Sequence, residues 1–336
     1  MTDINLNREL FIGLDLGGTA IKAGIVRADG TVVAKTAVAT GTGPDEVIAN
    51  LGRAAEMAAQ QAGISVQQAT AIGVTSPGAL AISRGVVLRA GNLPGFSDVP
   101  LRAKVSALLQ RPAILENDAN AAAFGESWVG AARHGAMHNV VLFTFGTGIG
   151  GGIVQDGRVL HGTRDLAAEL GHMVVVADGE PCSCGQRGCI EAYASARSVG
   201  TRAAARLNKS NEASSLRPLL KTNRPLTSRD VVVHARRGDK PALAVWEETC
   251  RMIAIACVNA SHWTDPDMVV LGGGMAGAGE FLLEPVRRHY AQQYWRLTPP
   301  EVPIVLAQLG NDAGMIGVAG MAMHAAKRNE LAPIGT

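Results

Sequence analysis

The sequence predicts an α/β fold built from two copies of one unit. An internal repeat and the alternation of strand and helix patterns both support this prediction. The segment LFIGLDLGGTAIKAGIVRADGTVVAKTAV stands near the start, and NVVLFTFGTGIGGGIVQDGRVLHG stands near the middle. Each begins with an apolar strand, turns on Gly and Thr residues, continues through a strand ending in GIV, and turns again on Asp-Gly. Two such copies indicate a duplicated fold, in which we expect each copy to point a glycine-rich turn at a common cleft.

Helix and strand patterns follow each copy of the repeat. After the first copy, PDEVIANLGRAAEMAAQQAG has apolar residues at helical spacing, AIGVTSPGAL is typical of a buried strand, and ANAAAFGESWVGAA begins a helix of small residues. After the second copy we expect a helix in ARSVGTRAAARLNKS, a polar loop over 208–223, and a long helix over about 241–261. The strands MVVLGGG and VPIVLAQLG and the helix AGMIGVAGMAMHAAKR complete the alternation.

Composition excludes several classes of protein. Of 336 residues, 47% are hydrophobic and 18% charged, which is typical of a globular chain. The 31 basic and 29 acidic side chains give a net charge of +2, so we expect no nucleic-acid partner. No apolar run reaches the roughly 18 to 20 residues of a membrane helix, and the N-terminus lacks a signal-peptide pattern, so we expect no membrane association and a cytoplasmic location.

Three glycine-rich turns are candidates for phosphate binding. The first, DLGGT at 15–19, could by itself be an ordinary tight hairpin. The second, GTGIGGG at 146–152, has five glycines in seven residues, which suits a backbone that must approach phosphate oxygens closely. Neither turn matches the Walker A or Rossmann patterns. The third, GGG at 272–274, follows a strand and precedes a helix, so a nucleotide could meet backbone there too.

A cluster of histidine and cysteine indicates a metal site. His172 is followed after nine residues by Cys182 and Cys184, and after four more by Cys189. Imidazole and thiolates at this spacing favour tetrahedral zinc over the alternative of unrelated reduced thiols on a loop. Because protein side chains would fill all four positions, we expect a structural Zn²⁺ ion and not a hydrolytic one.

Two further groups of polar residues are candidates for chemistry. The run Glu116-Asn117-Asp118-Ala119-Asn120 lies at a strand end and opens an apolar helix, where Asn117 or Asp118 could simply cap the helix. A carboxylate at this place could instead remove a proton from a substrate hydroxyl. Glu169 and Glu191 flank the cysteine loop and could accept hydrogen bonds from a polyol.

Together these segments resemble the ROK family of bacterial repressors, open-reading-frame proteins and sugar kinases. The resemblance is carried, over nearly the whole chain, by DLGGT, TSPG, NLPGF, LENDANAAAFGE, FGTGIGGG, AAELGH, CSCGQRGCIEAYAS and DPDMVVLGGG. It implies a duplicated actin-like ATPase (ribonuclease H-like) fold, shared with hexokinase and Hsp70, with ATP and sugar in a cleft between two domains. We expect a small domain at 1–117 with about 309–336, a large domain at 118–308 with the zinc loop 172–189, and a homodimer.

The resemblance also implies a role for individual residues. Asp118 would be the catalytic base. The sugar would be held by Asn92, Asn117, Asp118, Glu169, His172 and Glu191 and by the backbone of Gly78. His172 would place one ring nitrogen on zinc and the other on a sugar hydroxyl, because the metal fixes the orientation of the ring. Phosphates would meet Gly17, Gly18, Thr19, Lys22, Gly146, Thr147 and Gly148, and the nucleoside would lie near Gly273 and Gly274.

The implied reaction is in-line transfer of the γ-phosphate of ATP to a sugar hydroxyl, the 6-OH of glucose being the first expectation. Mg²⁺ and backbone N–H groups would neutralise the developing charge. Mannose, fructose, allose and N-acetylated hexosamines stay open as substrates. Phe96, where many members have Trp, and Ala168, where many have Gly, are departures that could alter the packing of the sugar.

Two other classes of function compete with the kinase prediction. A non-catalytic sugar sensor is disfavoured by the intact Asp118 and glycine turns. The repressor branch also carries a winged-helix domain before DLGGT, whereas fourteen residues precede Asp15 here. An actin-like or Hsp70-like ATPase is disfavoured by the zinc loop and by Glu169, His172 and Glu191.

Overall fold

The computed structural model of the chain describes residues 9–133, 138–295, 297 and 302–336. These divide into two compact units. The first unit comprises residues 1–138, 152–168 and 308–336, and the second comprises 139–151 and 169–307, each within the described ranges. The predicted domains differ from these units in where they place residues 118–138 and 152–168, and their bounds stay a prediction.

The first stretch of chain alternates strands with helices, as predicted. Its elements are β1 (Leu10–Leu16), β2 (Ala20–Arg27), β3 (Val32–Ala39), α1 (Pro44–Gln61), β4 (Ala71–Ser76), β5 (Ala79–Ala81), β6 (Val86–Arg89), β7 (Ser97–Val99), α2 (Leu101–Leu109), β8 (Ala113–Asn117) and α3 (Asp118–Trp128). One sheet has the order β3-β2-β1-β4-β8, and β5, β6 and β7 form a smaller sheet. Strand β2 pairs with β1 and with β3, both antiparallel. Strand β4 pairs with β1 and with β8, both parallel.

The later stretch repeats this arrangement. Its elements are β9 (Val140–Phe145), β10 (Ile149–Gln155), β11 (Arg158–Val159), α4 (Glu191–Ala194), α5 (Ala196–Lys209), α6 (Arg217–Leu220), α7 (Ser228–Arg236), α8 (Lys240–Thr264), β12 (Met268–Gly272), α9 (Glu280–Gln293), β13 (Ile304–Leu306) and α10 (Ala313–Lys327). The second sheet has the order β11-β10-β9-β12-β13, the same as the first sheet once β5 to β7 are set aside. The predicted duplication is therefore confirmed.

The predicted Asp-Gly turns form in both copies. Between β2 and β3, the Gly30 N–H donates to the carbonyl of Arg27, and the Thr31 N–H donates to the Asp29 carboxylate at 2.9 Å. Gly30 has a φ of 85°, a left-handed conformation that glycine adopts without steric cost. Between β10 and β11, Asp156 and Gly157 both have positive φ, as a tight hairpin requires.

One predicted loop contains a helix. The sequence predicted a polar loop over 208–223, but Arg217–Leu220 form the short helix α6. Leu216, just before it, is fully buried, and the Arg217 guanidinium donates to the carbonyls of Ser210 and Glu212. These anchors compensate for the weak helical signal of a polar segment.

Small residues let α10 pack closely on α3 and on the first sheet. A Cβ at Gly317 would lie 1.7 Å from the carbonyl oxygen of Ala121, and one at Gly13 would lie 2.0 Å from that of Met315. Only glycine fits at such separations, because real Cβ atoms stay beyond about 3 Å of such neighbours. The alanine and glycine residues of α3 thus allow the close helix packing that the sequence predicted.

No helix within the described ranges combines the length and the apolar character that crossing a membrane requires.

Candidate functional site

The proposed base, Asp118, is the first residue of α3, directly after β8 ends. Asn117 caps this helix, since its Oδ1 accepts the N–H groups of Ala119 at 2.9 Å and Asn120 at 3.2 Å. The Asp118 carboxylate is exposed, and its Oδ1 accepts the Ala119 N–H at 2.8 Å. Asn117 is therefore the N-cap residue, and Asp118 adds a second acceptor for the Ala119 N–H while it presents its carboxylate at the helix start.

A buried carboxylate that the sequence analysis did not assign stands next to this cap. The Glu116 side chain is 2% exposed, and its Oε1 accepts the Asn117 N–H at 2.8 Å and the Asn120 Nδ2 at 3.0 Å. Its Oε2 lies 2.7 Å from Nε2 of His161. This bond raises the pKa of His161, although partial burial opposes the shift. Glu116 belongs to the predicted polar run, but nothing in the sequence pointed to His161 as its partner.

The first glycine turn joins β1 to β2 in the first unit. The Gly17 N–H donates to the carbonyl of Ala20, and the Gly17 carbonyl accepts the Thr40 hydroxyl at 2.7 Å. Gly18 and Thr19 are exposed and Gly17 is half-buried, so the backbone of the turn is accessible to a ligand. A Cβ at Gly18 would lie 3.3 Å from Nδ2 of Asn92, so the structure brings together one residue predicted for phosphate and one predicted for sugar.

Lys22 lies on β2 opposite Asp15. Its Nζ is 3.3 Å from Oδ2 of Asp15 and 2.6 Å from the carbonyl oxygen of Asn311. The other oxygen of Asp15 accepts the Thr75 hydroxyl at 2.9 Å. This network fixes a carboxylate and an ammonium group beside the first glycine turn.

Gly78 precedes β5 and has a φ of 97°. A Cβ there would lie 2.2 Å from the carbonyl oxygen of Arg89, so the two backbones approach more closely than a side chain allows. Asn92 follows β6, and Phe96 is buried at 3% exposure in the same core cluster as Leu93. The buried Phe96 ring therefore anchors the loop that carries Asn92 to the core.

In the second unit, the four predicted metal ligands converge. The ligand atoms of His172, Cys182, Cys184 and Cys189 all lie within 4.8 Å of one another. Cys182 Sγ is 3.7 Å from His172 Nδ1, and Cys184 Sγ is 3.7 Å from Cys189 Sγ. Tetrahedral zinc, with Zn–S bonds of about 2.3 Å, places its ligands roughly 3.8 Å apart, so these residues fit the ion.

A bound zinc ion would have to overcome the burial of the Cys189 thiol. Burial raises the pKa of the Cys189 thiol to about 12, and the neighbouring Cys184 and Cys182 reinforce the shift. A thiol in this state stays protonated at neutral pH unless a positive charge stabilises the thiolate. A zinc ion supplies that charge, because its ligands bind in deprotonated form.

Glu191 connects the cysteine loop to the second glycine turn within the second unit. Its Oε2 accepts the Ile149 N–H at 2.9 Å, and its Oε1 accepts the Ser183 hydroxyl at 3.0 Å. A Cβ at Gly148 would lie 2.6 Å from Oε2, which explains glycine at this position. Thr147 at the tip of the turn is exposed, and the Gly146 carbonyl accepts the Ala196 N–H at the start of α5.

Glu169 and His172 occupy one turn of chain in the second unit. The His172 N–H donates to the Glu169 carbonyl at 3.0 Å, and the Glu169 side chain is exposed. Since Nδ1 of His172 faces Cys182, the Nε2 side of the ring is left for another partner. This geometry is compatible with the two tasks that the sequence resemblance implied for His172.

The third glycine turn borders a pocket of about 460 Å³ in the second unit. Gly273 has a φ of 80°, and a Cβ there would lie 2.5 Å from the Phe145 carbonyl oxygen. The pocket is lined by Arg229, Val232 and Val233 of α7, and by Gly274, Met275 and Ala278 of the turn that follows β12. Apolar side chains beside glycine backbone form a suitable surface for a flat nucleoside base.

Comparison with known proteins identifies the family. The profile of the ROK family matches residues 11–325. A glucokinase from Halalkalibacterium halodurans is 35% identical over 310 residues, covering 91% of this chain and 93% of the relative. An N-acetylmannosamine kinase from Escherichia coli is 28% identical over 312 residues, covering 93% of this chain and 98% of the relative.

Solved structures give the same result. The ROK hexokinase from Thermus thermophilus is 36% identical with a TM-score of 0.80, covering 95% of this chain and 99% of that one. A ROK family glucokinase from Streptomyces griseus, in complex with glucose and AMPPNP, is 33% identical with a TM-score of 0.77, covering 94% and 99%. The chain belongs to the ROK family and has the duplicated actin-like ATPase fold of its sugar kinases.

Proposed function

We propose that the chain is an ATP-dependent glucokinase that transfers the γ-phosphate of ATP to the 6-OH of glucose. The observation that carries this proposal is the exposed carboxylate of Asp118 at the capped start of α3, in a chain of ROK kinase fold. Asp118 removes the hydroxyl proton as the hydroxyl oxygen attacks the phosphorus atom. General-base catalysis of this kind contributes typically 10²–10⁴-fold in rate.

The sugar is proposed to bind through hydrogen bonds from its hydroxyls to polar groups of the chain. These are Asn92, Asn117, Asp118, Glu169, His172, Glu191 and the backbone of Gly78. Carboxylates and amides suit this task, because they accept hydrogen bonds from neighbouring hydroxyls in fixed directions. Since Glu191 also accepts the Ile149 N–H, a sugar hydroxyl would share the remaining acceptor capacity of its carboxylate.

The nucleotide is proposed to bind as its Mg²⁺ complex. The turns with Gly17, Gly18, Thr19, Gly146, Thr147 and Gly148, whose tips are exposed at Gly18, Thr19 and Thr147, would donate backbone N–H groups to the phosphates, with Lys22 adding positive charge. The nucleoside would occupy the pocket beside Gly273 and Gly274. In-line phosphoryl transfer depends mainly on such positioning and charge neutralisation.

A Zn²⁺ ion held by His172, Cys182, Cys184 and Cys189 is proposed to be structural. It would fix the ring of His172, so that the second ring nitrogen could bond a sugar hydroxyl. A homodimer and a cytoplasmic location complete the proposal, and both rest on the family resemblance and composition of the sequence.

The first experiment measures ADP release from Mg²⁺-ATP in a coupled assay with glucose, mannose, fructose, allose, N-acetylglucosamine and N-acetylmannosamine. We expect kcat/KM to be highest for glucose. Because the glucokinase relative is 35% identical to this chain and the N-acetylmannosamine kinase 28%, we expect the N-acetylated sugars to be at least about 10-fold poorer, the cost of roughly 1.4 kcal/mol of lost transition-state binding.

The alternatives give different results in this assay. A kcat/KM highest for N-acetylmannosamine would replace glucose by an N-acetylhexosamine and keep the kinase reaction. Sugar binding without sugar-dependent ADP release, in folded protein that contains zinc, would favour a sensor and contradict the catalytic role of Asp118.

A further inference from the structure

The carboxylate of Glu116 is hydrogen-bonded to residues on both sides of Asp118. Its Oε1 accepts the backbone N–H of Asn117, the residue before Asp118, and the side-chain amide of Asn120, two residues after it. Asn117 and Asn120 also share a bond of the helix cap, since Asn117 Oδ1 accepts the Asn120 N–H. A single buried oxygen therefore fixes the first turn of α3, on which Asp118 stands.

The second oxygen of Glu116 is bonded by His161, from the segment that follows β11. The His161 side chain is 31% exposed, whereas Glu116 is 2% exposed. A carboxylate so thoroughly removed from water is costly unless it is paired and hydrogen-bonded. His161 is the one basic side chain paired with it among the described residues, and its partial exposure keeps it able to exchange a proton with solvent.

The segment of His161 is itself held in place within the first unit. The carbonyl of His161 accepts the Ala167 N–H at 3.0 Å, which closes the turn 161–167. The Asp165 carboxylate accepts the Ile82 N–H at 2.9 Å, on the turn between β5 and β6. His161 is thus a fixed partner for Glu116 and not a mobile surface side chain.

We propose that Glu116 and His161 form an ion pair that positions the base Asp118. Neither residue touches the reacting atoms in this proposal, so both are positioning residues. The inference rests on the proposed kinase function. Without His161, one oxygen of the buried Glu116 carboxylate would lose its hydrogen-bond partner, and the side chain would be free to rotate toward another donor. That movement would weaken its hydrogen bonds to Asn117 and Asn120 and let the first turn of α3 shift.

Other charged groups surround the pair. Asp165 faces His161 from the same segment of the chain. His161 also lines a pocket of about 460 Å³ in the first unit, whose other charged or titratable residues are Arg102, Arg158, His324, Arg328 and Glu330. Arg102 donates to the carbonyls of Ser83 and Thr336, and Arg328 is paired with Glu330. The direct bond to Glu116 is the main reason that the pKa of His161 is raised, and Asp165 adds to it.

The sign of the pH dependence follows from this shift. A histidine whose pKa is raised in the folded protein contributes stability that is fully present below its unfolded pKa, near 6.5. That contribution is lost as the pH rises through the raised pKa. The position of Asp118 should depend on pH in the same way, so that it is fixed most firmly when His161 is protonated.

The test compares His161→Leu, which removes the donor, with His161→Gln, which keeps a neutral donor. We expect His161→Leu to lower kcat about 10²-fold, the size of loss that a misplacement of roughly 1 Å causes, with KM for ATP and glucose changed less than threefold. We expect His161→Gln to lower kcat less than His161→Leu does. The ratio of wild-type kcat to His161→Gln kcat should be largest at acid pH, and it should fall as the pH rises through the pKa of His161.

His289→Leu is the matched control, because it removes a His–Glu pair of similar length, 2.8 Å between His289 Nε2 and Glu247 Oε1, from the surface of α8 and α9. Its kcat should equal that of wild type. If His161→Leu is active with kcat within twofold of wild type, or if the His161→Gln deficit is the same at every pH, the positioning role is wrong. Should wild type itself form no ADP with any sugar, the proposed function fails, and this inference with it.

Discussion

At the start of α3, the neighbouring side chains of Glu116, Asn117 and Asp118 have different functions. The Asn117 side chain accepts two helix N–H groups, and the Glu116 carboxylate accepts the Asn117 N–H. The Asp118 carboxylate is therefore exposed on a fixed turn. The sequence predicted a base or a cap here, because a polar run before an apolar helix fits both. It could not predict His161, since that residue is 45 positions from Glu116 and the two meet only through the fold.

The zinc ligands allow a second prediction at the scale of residues. We expect purified wild type to contain about one zinc per chain and Cys184→Ser to lose most of it, because a hydroxyl is a poor substitute for thiolate. Loss of the ion frees the His172 ring, so KM for glucose should rise at least about 10-fold, in the range seen when groups supporting a metal site are lost.

Metal analysis and glucose kinetics on the same preparations check this prediction. The control is Cys257→Ala, which changes a fully buried thiol of α8 outside the cluster and should keep the zinc. A Cys184→Ser protein with full zinc content would show that the four side chains do not hold the ion as proposed.

At the scale of elements, a buried carboxylate joins α3 to the segment that enters α10. Glu126 is fully buried, and it accepts the N–H groups of Ala131, Gln308 and Leu309 at 2.8, 3.0 and 2.7 Å. The close packing of α3 on α10 was predictable from the small residues of both helices. The role of Glu126 was not, because two of its three partners lie 182 and 183 residues away in sequence.

Removing this carboxylate should destabilise the protein strongly. In Glu126→Ala, three backbone donors lose their acceptor, and each buried unsatisfied donor costs about 1–3 kcal/mol, so we expect at least about 3 kcal/mol. Urea denaturation of the two proteins measures the difference in free energy of unfolding. Glu330→Ala, which breaks a surface pair with Arg328, should change it by less than about 1 kcal/mol. Equal stability of Glu126→Ala and wild type would contradict the anchoring role.

At the scale of the whole molecule, duplication is visible in both sequence and structure. Two sheets share one strand order, and each places a glycine-rich turn between its first two strands. This was predictable because both copies keep the same pattern of apolar strands and Asp-Gly turns. The bounds of the compact units were harder to predict, since residues 152–168 follow the second glycine turn yet group with the first unit. Contacts such as His161 with Glu116 join this segment to the first unit, and they leave no local pattern in the sequence.

The central claim is that this ROK protein phosphorylates glucose with Asp118 as the base. The most direct measurement follows the formation of glucose phosphate and ADP from Mg²⁺-ATP in a single turnover, for wild type and for Asp118→Asn. We expect equal amounts of both products from wild type, and a rate at least about 10²-fold lower for Asp118→Asn with its zinc content and melting temperature unchanged. Glucose phosphate formed at the wild-type rate by folded Asp118→Asn would contradict the account.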